Sequence, residues 1–87
     1  MNRIVCAAML MDDGVIVTGV RHFSPDMRVV LKKMYGDNYK HNVVDQGFID
    51  TMGEFLNRKD AWNVASKNDQ IRRVVSTPGT LYSENLY

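Results

Sequence analysis

The sequence predicts an α+β domain, an antiparallel β-sheet carrying two short α-helices, that works as an oligomer. Three observations point there: an apolar run that turns back on itself across Asp12-Asp13-Gly14, a second strand-turn-strand around residues 50–53, and two helix starts marked by capping residues. Eighty-seven residues are enough for one domain, spanning 1–87, and too few for two. A chain of this size buries only about 60% of its unfolded surface. Six methionines and an apolar first strand therefore suggest that a second copy covers part of the surface.

Residues 3–11, RIVCAAMLM, are apolar on both alternating sets, Ile4, Cys6, Ala8 and Leu10 against Val5, Ala7, Met9 and Met11. Such a strand belongs at the centre of a sheet or beneath the sheet of a partner. Residues 15–20 read as its return strand, interrupted by Gly19, where a bulge or a close backbone approach is expected. Ser24 is placed to cap the first helix, Pro25 suits its first position, and Asp26 complements the dipole. Met27, Val30, Leu31 and Met34 then form a core-facing stripe, with Arg28 and Lys32 on the polar face and Gly36 as terminator.

Residues 37–46 are polar and read as a surface loop. Phe48 and Ile49 before the second turn are mirrored by Phe55 and Leu56 after it, so that aromatic and β-branched side chains can pair across strands. Asn57 stands as the N-cap of the second helix with Asp60 three residues on, and Ala61, Val64 and Ala65 share one face that allows close packing. Val74 and Val75 suggest a further short strand, and residues 76–79, Ser-Thr-Pro-Gly, break it. The final TLYSENLY alternates in a way unusual for a free tail and is expected to dock on its own domain or a neighbour.

A formal net charge of +1 supplies no long-range field to gather nucleic acid polymers or an anionic membrane, so anion binding requires local clusters. The lone Cys6 excludes an internal disulfide framework, and the absence of a secretory or spanning apolar run leaves the cytoplasm as the expected location. Arg21 and His22, just before a helix N-terminus, are placed to hold a phosphate, with Arg28 one turn in; the alternative is an arginine on carbonyls and a surface histidine. Arg72 and Arg73 offer guanidinium forks to phosphate or simply complement a helix end. Phe48 and Phe55 either stack on a purine or fill the core.

His22 and His41 lack any metal-site spacing, no GxxxxGK or GxGxxG nucleotide motif is present, and neither Cys6 nor Ser83 has a nucleophile's surroundings. No metal, cofactor or catalytic residue is therefore expected.

Taken together, IVCAAM, GVRHFSPDMR, QGFIDTMGEFLNRKDAW and LYSENLY resemble the Thoeris anti-defence type-one family of small phage and prophage proteins, the sponges that sequester cyclic ADP-ribose signals. The similarity is spread over most of the chain. The resemblance implies an antiparallel sheet with short helices assembled as dimers or as a hexamer of dimers. It implies that glycocyclic ADP-ribose is held at dimer interfaces without cleavage, some hexameric members also taking cyclic di- or trinucleotides at separate sites. By motif position it implies Phe48 as the ring-stacking residue, Asn57 and Arg58 close to the pocket, and the late arginine role on Arg72 or Arg73, with Arg21, His22 and Arg28 as candidates for the phosphates. Competing expectations are a phage protein that grips a host protein through its apolar strand and C-terminal tail, and a small nucleotide-hydrolysing enzyme.

Overall fold

The computed structural model describes residues 3–72 and 78–86. Its four strands, β1 (Ile4–Met11), β2 (Ile16–Gly19), β3 (Val43–Asp50) and β4 (Phe55–Asn57), form one antiparallel sheet in the order β2-β1-β3-β4. Helix α1 (Pro25–Tyr35) links β2 to β3, α2 (Arg58–Lys67) follows β4 directly, and a one-turn helix α3 (Ser83–Leu86) lies in the C-terminal segment. This is the expected α+β architecture, with apolar β1 between two neighbours. No helix among the described residues is long and apolar enough to cross a membrane.

The core lies on one face of the sheet. Ala7, Met9 and Met11 of β1, Val17 of β2 and Phe48 of β3 pack against Met27 and Leu31 of α1, Ala61 and Ala65 of α2, and Leu81. Side-chain alternation puts Cys6, Ala8, Leu10, Ile16, Ile49 and Phe55 on the other face, which carries no helix among the described residues. That face keeps apolar surface open, as at Ile16, and the bulged Val5 is 52% exposed. Where β1 bulges between Ile4 and Cys6, the side-chain amide of Gln70 replaces a strand partner. Its Oε1 accepts from the Ile4 N–H at 2.8 Å and its Nε2 donates to the Ile4 carbonyl at 2.9 Å.

Several expectations change. In α1, Met27 and Leu31 are buried, whereas Val30 is 41% and Met34 49% exposed. The helix turns its i, i+4, i+8 line of Met27, Leu31 and Tyr35 onto the edge of the sheet, because it packs on β2 and the turn before β3 rather than across the sheet centre. The loop expected at 37–46 is shorter than it read: Tyr39–Asn42 forms a 3₁₀ turn with Tyr39 buried, and β3 begins at Val43, paired with Met11. Its polar residues Asp45 and Gln46 obscured a strand that is defined by pairing to β1. Ser24 is the N-cap of α1, but its hydroxyl donates to the Asp26 carboxylate instead of receiving a backbone N–H. Asn57 caps α2 as expected, accepting from Asp60 N–H at 2.9 Å. The strand expected at Val74-Val75 lies outside the described residues.

The C-terminal segment docks on its own domain. Leu81 has no exposed surface, its N–H donates to the Arg58 carbonyl at 2.9 Å, and the Asn85 carbonyl accepts from Arg72 N–H at 2.7 Å. Both interior glycines mark close approaches. A Cβ on Gly19 would come within 2.9 Å of Met27 Cβ and Ser24 Oγ, which lets the start of α1 sit on β2. One on Gly47 would fall 2.0 Å from the Leu56 carbonyl oxygen and 2.7 Å from the Phe55 ring. Backbone cannot yield there as a side-chain tip can. Gly47→Ala should therefore cost about 1–3 kcal/mol or more in urea denaturation, by the overpacking it forces; a variant with wild-type stability would mean that β4 is free to shift away.

Candidate functional site

An open groove of about 420 Å³ runs between the start of β3, the 3₁₀ turn and the first residue of α2. Its walls include Phe23, Lys40, Val44, Asp45, Gln46 and Arg58. The β3–β4 ladder builds one side: Gly47 pairs with Asn57, so the next residues outward, Gln46 and Arg58, come together. Arg58 Nη2 donates to Gln46 Oε1 at 3.1 Å. The guanidinium lies over the Tyr82 ring, its carbon 4.7 Å from the centroid. Its Nε is buried and has no hydrogen-bond partner among the described residues. On the other side Lys40 Nζ stands 5.4 Å from the Phe23 ring centroid, and that ring is tilted against Tyr39 at 6.3 Å. Two cations and an aromatic wall face a single carboxylate, Asp45, which is already engaged with the Gln46 N–H at 2.9 Å.

The residues singled out from sequence are divided among several places. Arg58 is in the groove and Asn57 is the adjoining cap. Phe48 has no exposed surface and meets the His22 ring edge-on at 5.0 Å and 83°, so it is a core residue and cannot serve as a stacking platform in this structure. Its place in β3, on the helix-covered face, is the reason. His22 is held at both ring nitrogens, Nε2 at 2.7 Å from the Gly47 carbonyl and Nδ1 at 2.8 Å from Ser83 Oγ. A carbonyl only accepts, so Nε2 carries a proton, and in the neutral ring Nδ1 then accepts from the serine hydroxyl. The backbone N–H of His22 also donates to Ser83 Oγ, at 3.3 Å. This ring fastens segments together and is not presented to a ligand.

Arg21 and Arg28 are exposed on either side of the α1 N-terminus. The carboxylate of Asp26 already occupies that helix end. The Ser24 hydroxyl is the main influence holding its pKa below the usual carboxylate range, helped by backbone N–H groups including that of Met27. A phosphate there would meet a fixed negative charge. Arg72 lines a separate, smaller cavity of about 220 Å³ with Arg3, Asp69 and Gln70, while Arg73 lies outside the described residues. Sequence reading missed Phe23, Lys40 and Gln46 as groove residues. The ladder closes at Asp50 and Glu54 around residues 51–53 and so pairs Gln46 with Arg58, one register away from what a turn over 50–53 gives.

The fold is that of a small α+β protein with an open groove lined by Arg58, Lys40, Asp45 and the Phe23 ring. Residues 3–87 match the family model described as phage T4 y16D protein, and the chain belongs to that phage protein family. No curated protein and no solved structure matches it.

The Asp26 arrangement has a pH signature. A carboxyl held low in the folded state stabilises the fold above its unfolded value near about 3.9 and loses that contribution as pH falls through the folded value. Titration followed by NMR should place the Asp26 midpoint below the ordinary range, and Ser24→Ala should raise it. An unmoved midpoint in that variant would assign the effect to the helix end alone.

Proposed function

We propose that this phage protein binds a cyclic nucleotide immune signal, glycocyclic ADP-ribose or a cyclic di- or trinucleotide, and sequesters it without cleavage as a homo-oligomer. The observation that carries the reading is Arg58, stacked on Tyr82 and bonded to Gln46 in the wall of an open groove. Its guanidinium offers a planar fork of N–H donors suited to charge-assisted bonds with phosphate oxygens. Lys40 supplies a second cation across the groove. A volume of about 420 Å³ falls within the range of small-molecule sites, about 300–1,000 Å³.

A sponge must hold a nanomolar to micromolar signal with about 8–12 kcal/mol. One open groove does not enclose a dianion, and the apolar face of the sheet offers a surface on which a second copy closes the site. Membership of a phage family and the resemblance to Thoeris anti-defence sponges support the same reading. In it, phosphate contacts pass from Arg21, His22 and Arg28 to Arg58 and Lys40.

Calorimetry with cyclic ADP-ribose isomers and cyclic dinucleotides tests the proposal. Arg58→Ala should weaken the best ligand at least tenfold, about 1.4 kcal/mol, with subunit number unchanged by native mass spectrometry. Arg58→Lys should recover only part, since an ammonium has no fork. Ligand released by heating should be intact; a hydrolysed product would make the protein an enzyme, and no binding to any of these compounds would leave the host-protein reading in its place.

A further inference from the structure

Phe23 adopts φ of 58°, left-handed backbone that bulky side chains rarely take. Its neighbours hold it there. The imidazole of His22 is bonded at both nitrogens, the Phe23 N–H donates to Met27 Sδ at 3.3 Å, and Ser24 N–H donates back to the Arg21 carbonyl at 3.1 Å. The result is a half-buried ring facing the groove, braced from behind by buried Tyr39.

Other aromatic rings nearby are committed elsewhere. Phe48 has no exposed surface, Phe55 lies on the opposite face of the sheet, and Tyr82 is covered by the Arg58 guanidinium. Phe23 alone among these has its ring covered by a readily displaced group, the Lys40 ammonium at 5.4 Å. An exposed cation–π contact at that distance is weak, and lysine is flexible and strongly hydrated.

We propose that Phe23 is the platform on which the base of the ligand stacks, with Lys40 moving off the ring and onto a phosphate as the base arrives. This rests on the reading of the groove as an anion site and specifies its ligand class, an aromatic base carried on a pyrophosphate rather than a simple phosphate. Strained backbone is then part of the site, since it fixes the ring before binding. Arg58 and Lys40 grip the pyrophosphate from opposite walls.

Cyclic ADP-ribose and inorganic pyrophosphate are the probes, measured by calorimetry on the wild-type chain, Phe23→Tyr and Phe23→Asn. Asparagine tolerates positive φ, so that substitution removes the ring while respecting the backbone. The wild type and Phe23→Tyr should prefer cyclic ADP-ribose over pyrophosphate by tenfold or more; Phe23→Asn should lose most of that preference while pyrophosphate affinity stays within about twofold. A preference that survives in Phe23→Asn overturns the platform and leaves the anion site standing. Binding of neither probe by the wild type overturns the anion site and the platform together. Should Phe23→Asn not fold, wild-type NMR decides: cross-relaxation between adenine protons and the Phe23 ring is expected with cyclic ADP-ribose, and bound ligand without it refutes the platform.

Discussion

The imidazole of His22 is the fastening on which the rest of the structure depends. It bonds one residue of β3 through Nε2 and the C-terminal turn through Nδ1, while its own backbone leads from β2 into α1. Three segments distant in sequence are thereby held around one ring, which also closes the core against Phe48. The partners are Gly47 and Ser83, the latter buried, so no water competes readily for the bonds. Without this fastening the segment carrying Tyr82 would have less reason to lie against Arg58, and the groove would lose a wall.

Much of the architecture was legible from local chemistry. The turn at Asp12-Asp13-Gly14, the cap at Asn57 and the stop at Gly36 are each written in residues whose backbone or side-chain properties dictate one local structure. The central position of β1 followed from apolar residues on both alternating sets. What escaped was settled by tertiary pairing. β3 starts within a polar stretch because β1 is there to pair with it, and the inward face of α1 is chosen by the edge it packs on.

The candidate site was less legible, and for a physical reason. A histidine or arginine beside a helix start reads as an anion site from sequence, yet the same helix start can be filled by its own aspartate, as Asp26 does. Phe48 looked available because a hairpin has two faces and periodicity does not say which is covered. Arg58 was found by resemblance of the surrounding motif, but the posture that makes it distinctive comes from Gln46 and Tyr82, twelve residues before it and twenty-four after. Such a grouping exists only once the chain has folded.

Gly47 carries a further consequence. Because only a hydrogen fits beneath the Leu56 carbonyl, sliding β4 along β3 by two positions would drive Asp45 or Ile49 into that backbone oxygen, while a slide by one would exchange the faces of the hairpin and take Leu56 off the core side. The hairpin thus has one admissible alignment. The pairing of Gln46 with Arg58, and with it one wall of the groove, is set by a residue that has no side chain at all.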